Sequence, residues 1–382
     1  MNSIVLQQPG KIVFGESSIQ QLPEDSLITS SDRILFLIAT PLLDKLKPVF
    51  DKMSISGKKV VVIEYNFPGE PTFNQFDMLL NKSDYFHPDC VIGVGGGSVL
   101  DCAKLLAALT GSDQKLADIV GIGFLKGRSI KLICIPTTSG TGSEMSPNAI
   151  LLNEETAAKS GIISPYLVPD SCYIDPVLTV SLPAHLTAET GMDALSHCIE
   201  AYTNKFAHPA VDTYALQGIR LIADNLEQAC KAGNDLEARS ALSLGSMYGG
   251  LCLGPVNTSA VHALSYGLGG KFHVAHGLAN AILLPEVMRF NLPASVDRHA
   301  AVALALGVQP QKNDEATALA GIVRLQELSL ACGIPQHLSE IGITEAVLPE
   351  LADIAMNVTR LLKNNPRVVT KEDAINIYKK LL

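Results

Sequence analysis

A chain of 382 residues exceeds the usual span of one domain, and its 47% hydrophobic content can bury a large core, so two domains are expected. The formal charge is −9 with Lys and Arg scattered rather than clustered, which argues against nucleic acid or an acidic membrane surface as a partner. Met1–Leu6 has neither a basic start nor an apolar leader, and no stretch approaches the roughly 18 apolar residues that span a bilayer, so a soluble, cytoplasmic protein is expected.

Up to about residue 180 short β-branched runs alternate with helical stretches. Strands are expected at Ile34–Ala39, Lys59–Tyr65, Cys90–Val94, Lys131–Pro136 and Cys172–Ile174. Helices are expected at Leu42–Met53, Asn74–Leu80 and Ser98–Thr110, the last starting on a serine suited to the N-cap. This alternation predicts an α/β domain over 1–180 with a parallel sheet that binds a dinucleotide. Beyond Pro183 the strand signals stop, and Asp212–Lys231, Leu236–Tyr248, Pro293–Leu306 and Glu315–Ala331 carry helical periodicity, predicting an all-helical, metal-binding domain over 181–382. Ala241–Gly254 is nearly uncharged and rich in small residues, which suits a helix packed on all sides. The eight cysteines include no C-x-x-C pair and read as buried thiols.

Two glycine-rich turns stand out. Val91-Ile92-Gly93-Val94-Gly95-Gly96-Gly97-Ser98 leads a strand into a helix, where N–H groups and the helix dipole favour an anion such as a pyrophosphate, although plain packing also uses such glycines. It departs from G-x-G-x-x-G. Pro136–Glu144 sets five hydroxyls and two glycines at the C-terminal end of a strand, where doubly wound sheets bind ligands.

Ionisable residues gather in the second half. Asp193 and His197, four apart, share one face of a helix and can reach one ion, although such pairs are often solvated ion pairs. Val261–Gly277 holds His262, His273 and His276 among small and apolar neighbours, where a metal is the simplest compensating partner. Imidazoles with a carboxylate suit Zn²⁺ or Fe²⁺ rather than Mg²⁺ or Ca²⁺.

With Gly95–Ser98 through Asp101 and Lys104, Pro136–Glu144, Gly191–His197 and His262–Gly277 in order, the chain resembles the iron-containing (group III) alcohol dehydrogenases of the dehydroquinate synthase-like fold. The resemblance implies that Asp193, His197, His262 and His276 hold one divalent metal, usually Fe²⁺ with Zn²⁺ a substitute. It points to NAD or NADP as cofactor, with Gly96, Gly97 and Ser98 at the pyrophosphate and Asp101 in the same motif. Thr137, Thr138 and Thr141 then run along the nicotinamide side, Asn148 and Lys159 stand near its ribose, and Glu70 lines the adenosine pocket. A homodimer is implied as well. Two departures matter: Tyr266 stands where much of the family has a second active-site histidine, with His273 as a polar alternative. Thr40 stands where NAD-restricted members carry an aspartate, so NADP meets no repulsion there.

The expected reaction is hydride transfer between a nicotinamide and a small alcohol, aldehyde or ketone, with the metal as Lewis acid and the cleft between the halves as its place. Rival readings are a metal-free maleylacetate reductase-like enzyme, a hydroxyacid–oxoacid transhydrogenase requiring basic groups near Tyr266, and a dehydroquinate synthase-like lyase requiring several cations. Around His262–His276 only Lys271 is basic.

Overall fold

The computed structural model describes residues 3–155 and 158–382. Two compact units emerge. One comprises Gln7–Thr138 and Ser143–Thr179; the other comprises Val180–Leu382 together with Ser139–Gly142 and the residues up to Leu6.

The first unit is built on a six-stranded parallel sheet of β1 (Lys11–Phe14), β2 (Arg33–Ala39), β3 (Lys59–Tyr65), β4 (Cys90–Gly95), β6 (Lys131–Pro136) and β9 (Ser171–Ile174). Their order is β1-β9-β6-β4-β2-β3. Apolar side chains pack on both faces of this sheet, which is why its central strands read as unbroken apolar runs. Helices α1 (Ser26–Thr29), α2 (Leu43–Ile55), α3 (Phe73–Phe86) and α4 (Gly97–Leu109) belong to this unit. A second sheet joins β5 (Gly121–Ile122), β8 (Ala158–Ile163) and β7 (Asn148–Asn153), with β7 and β8 antiparallel. Neither this small sheet nor β1 is among the strands expected from sequence; the four residues of β1 carry too little alternation to register.

One detail is corrected. Ser98 does not cap α4; Gly96 occupies the N-cap with no side-chain bond, and Ser98 Oγ instead donates to the Gly69 carbonyl at 3.2 Å. A glycine there leaves the first turn of α4 clear of any capping side chain.

The second unit consists of α5 (Ala184–Thr203), α6 (Pro209–Lys231), α7 (Leu236–Leu253), α8 (Ala260–Phe272), α9 (His276–Asn291), α10 (Val296–Ala305), α11 (Asp314–Ala331), α12 (Leu348–Met356), α13 (Thr359–Leu362) and α14 (Lys371–Lys380). Among the described residues no strand follows Ile174. Helix α7 packs on both α5 and α6, as its small, uncharged composition requires. All eight cysteines are free thiols, and all but Cys230 are buried.

Candidate functional site

Three helices of the second unit converge on one point. Helix α5 carries Asp193 and His197 on one face, α8 carries His262, and α9 opens on His276. Small residues allow the approach: a Cβ on Gly249 of α7 would already touch His197 Cβ and the Ala194 carbonyl at 3.3 Å. At the start of α9 the fit is tighter, since a Cβ on Gly277 would lie 2.3 Å from the Glu189 carbonyl oxygen of α5. His276 is therefore held against α5 by direct main-chain contact.

Ligating atoms of Asp193, His262 and His276 lie within 4.8 Å of one another. Asp193 Oδ1 stands 3.5 Å from His262 Nε2 and 3.7 Å from the Nε2 atoms of His197 and His276. His197, the fourth expected ligand, sits beside this trio with its ring stacked on His262 at 4.8 Å between centroids. The set fits a borderline divalent ion, and His197 Nδ1 and Asn280 Oδ1 are buried polar atoms without hydrogen-bond partners.

Two residues outside the expected ligand set complete the surroundings. Glu200 hydrogen-bonds His262 Nδ1 through Oε2, and its Oε1 accepts from Ser259 N at 3.0 Å, Ser259 Oγ at 2.8 Å and Val261 N at 2.8 Å. This turns His262 Nε2 toward Asp193. Asn280 Nδ2 donates to Asp193 Oδ1 at 2.8 Å and lies 3.1 Å and 3.2 Å from the Nε2 atoms of His262 and His276. Each has a local signal: Glu200 is a carboxylate in an apolar helical run three residues after His197, and Asn280 follows His276 by one helical turn.

Electrostatics follow the geometry. Burial alone would raise the Asp193 pKa, but the surrounding imidazoles outweigh it and hold the carboxyl well below the usual range. Burial disfavours charge on His262, yet Glu200 and Asp193 hold its pKa up to about 9. His197 goes the other way, lowered by burial despite Asp193.

Tyr266 lies one turn beyond His262, 9% exposed, in a small cluster with Ala263 and Leu361. Its hydroxyl accepts from Arg360 Nη2 at 2.5 Å, a contact across 94 residues with no local sequence signal. His273 is exposed and takes the left-handed conformation (φ 56°) that ends α8. Lys271 pairs with Glu350 at the surface.

In the α/β unit, the glycine turn divides its labour. A Cβ on Gly93 would meet Ala103 Cβ at 2.6 Å and one on Gly95 would meet Val99 Cγ2 at 2.5 Å, so these two serve strand-to-helix packing. Gly96 and Gly97 form the uncapped start of α4, which favours an anion. Thr137 and Thr138 follow β6, and the Thr137 N–H donates to the Gly95 carbonyl at 3.0 Å. Thr141 lies in the short segment that groups with the helical unit. Asp101 is turned inward, accepting from Ser143 Oγ at 2.5 Å and Ile150 N at 2.8 Å. Buried Lys104 donates to the carbonyls of Ser146 at 3.0 Å and Asn148 at 2.8 Å, while Asn148 Oδ1 is buried without a partner. Lys159 forms an ion pair with Glu70, and Thr40 Oγ1 donates to the Tyr65 carbonyl at 3.4 Å. Burial pushes the Glu144 carboxyl up to about 7, against its own backbone N–H and Lys104.

The family description "Iron-containing alcohol dehydrogenase" matches residues 9–176, and "Fe-containing alcohol dehydrogenase family, C-terminal" matches residues 187–382. The chain belongs to the iron-containing alcohol dehydrogenase family. Among its relatives, the long-chain-alcohol dehydrogenase 1 of Geobacillus thermodenitrificans is 42% identical over 294 residues, 76% of this chain and 74% of that protein. The sulfoacetaldehyde reductase of Bilophila wadsworthia is 31% identical over 379 residues, 96% of this chain and 95% of that protein. A solved structure described as 1,3-propanediol oxidoreductase superposes with a TM-score of 0.94 at 32% identity, covering 100% of both chains. As an iron-containing alcohol dehydrogenase, the protein is an oxidoreductase of alcohols and aldehydes.

Proposed function

We propose that the protein is a metal-dependent, NAD(P)-linked dehydrogenase in which Asp193, His197, His262 and His276 hold one divalent ion, Fe²⁺ in preference to Zn²⁺. The observation that carries this reading is the convergence of Asp193, His262 and His276 within 4.8 Å, backed by Glu200 on the far nitrogen of His262. A bound ion supplies Lewis acidity toward the substrate oxygen.

The chain's own residues do the rest. Glu200 fixes the tautomer and direction of His262, and Asn280 orients the Asp193 carboxylate by its 2.8 Å bond. Tyr266, held by Arg360, is the candidate hydrogen-bond partner for a substrate oxygen. The α4 N-terminus at Gly96, Gly97 and Ser98 receives the pyrophosphate, and the buried Asn148 Oδ1 is a ready acceptor for a cofactor hydroxyl. Thr40, uncharged and directly after β2, offers the 2′-phosphate of NADP no repulsion, so NADP is accepted alongside NAD.

The relatives' names run from long-chain alcohols to sulfoacetaldehyde, so the substrate is an alcohol or its carbonyl partner. Spectrophotometric assay of primary alcohols, diols and hydroxy acids with both dinucleotides, after restoring iron or zinc, tests the reading. His262→Ala and His276→Ala should lose metal and turnover yet bind dinucleotide; full activity in metal-stripped protein would count against it.

A further inference from the structure

Arg360 sits on α13, the short helix packed on α8, and its guanidinium meets Tyr266 twice, by the 2.5 Å hydrogen bond to the hydroxyl and at 5.8 Å from the ring centroid. Tyr266 is one helical turn from His262, about 5.4 Å along the axis. The guanidinium is thus tied to a side chain that leaves α8 one turn after His262.

Three other arginines have most of their donors or their charge engaged. Arg239, fully buried, donates to the carbonyls of Gly233 and Leu182 and to Thr187 Oγ1. Arg128 is paired with Asp170, and Arg298 with Asp212. Arg360 is half-buried, and among the described residues it has no carboxylate partner. A guanidinium offers five N–H donors in a rigid fork, of which one is engaged by Tyr266. Half-buried charge is stabilised by an opposite charge, and a forked pair of N–H groups matches an oxyanion.

The geometry points to Arg360 as a specificity-determining residue: with Tyr266 it binds the anionic end of a short-chain hydroxy compound or aldehyde that carries a carboxylate or sulfonate, while the carbinol end lies at the metal. This deepens the proposed function and rests on it. A neutral alcohol leaves the guanidinium without a counter-charge.

The test uses metal-loaded enzyme and matched pairs: propan-1-ol against 3-hydroxypropanoate, and ethanol against 2-hydroxyethanesulfonate. Wild type should favour at least one anionic member in kcat/KM, by about 10- to 100-fold. Arg360→Gln should reduce that preference at least tenfold, chiefly through KM for the anion, with Arg360→Lys recovering part of it. A response confined to one pair identifies the anion as carboxylate or sulfonate. A wild-type preference for both neutral members, or an unchanged ratio in Arg360→Gln, overturns the inference. If neither kind of alcohol is oxidised, the parent reading fails by itself. Calorimetric binding of the two anions to wild type and Arg360→Gln then decides, supporting the inference if the variant binds at least tenfold more weakly and overturning it if the two bind alike.

Discussion

Glu200 grips His262 from behind: one carboxylate oxygen meets the ring Nδ1, and the other is itself pinned by Ser259 and Val261 at the start of α8. The imidazole is thereby aimed before any ion arrives. Partners of this kind set metal affinity, so Glu200→Gln should weaken binding of Zn²⁺ or Fe²⁺ by about 10- to 100-fold. Competition with a chelator reads the loss, and circular dichroism checks that the helices persist. An unchanged competition midpoint would detach Glu200 from the metal.

Gly277→Ala should be costly for its size. The new methyl would meet a main-chain oxygen at 2.3 Å, which cannot swing away as a side chain could. Overpacking of this kind costs roughly 1–3 kcal/mol, and here the strain falls beside His276. Thermal melting should show lower stability, and metal titration a weaker site, whereas alanine at exposed Glu327 of α11 should do neither.

Thr40→Asp should convert cofactor choice. A carboxylate at the end of β2 repels the 2′-phosphate and can accept from a 2′-hydroxyl, so the NADP-to-NAD ratio of kcat/KM should fall by at least about tenfold. Dissociation constants for both dinucleotides measure it. Wild-type protein that already binds NAD far more tightly than NADP would remove the basis for this expectation.

Glu144 makes stability depend on pH. Its folded pKa of about 7 lies above the ordinary glutamate value of 4.5, so the folded state holds the proton more tightly than the unfolded one. That contribution is fully present below about pH 4.5 and is lost as pH rises through about 7. Glu144→Gln, which cannot ionise, should lack this loss. Between about pH 5 and about pH 8 its stability relative to wild type should improve by up to about 3 kcal/mol, read by denaturant unfolding of cofactor-free protein. A pH-independent difference would mean that Glu144 is not held protonated.

What the sequence discloses of the site depends on separation along the chain. Asp193 and His197 are one helical turn apart on α5, whereas His262 and His276 stand out only as imidazoles in an apolar stretch and meet because α8 and α9 converge; β4 and β6 announce themselves as apolar runs leading into glycine and threonine. Arg360 reaches Tyr266 across 94 residues, and no periodicity links the two. Glu200 is within reach, since a carboxylate in an apolar helical run needs a partner, but that partner is on another helix. The β7–β8 pair escapes because β7 begins and ends on Asn and β8 carries Lys159, Ser160 and Gly161, a composition that resembles a loop.

The contact between Gly277 and Glu189 also bears on how substrate range can change. The candidate metal site is bounded at His276 by two main chains in contact, a distance that side-chain exchange elsewhere cannot easily alter. The wall around Tyr266, by contrast, is made of side chains from α8 and a four-residue helix. New specificities can therefore arise by rewriting Val358, Arg360 and Leu361 while the reactive centre keeps its shape.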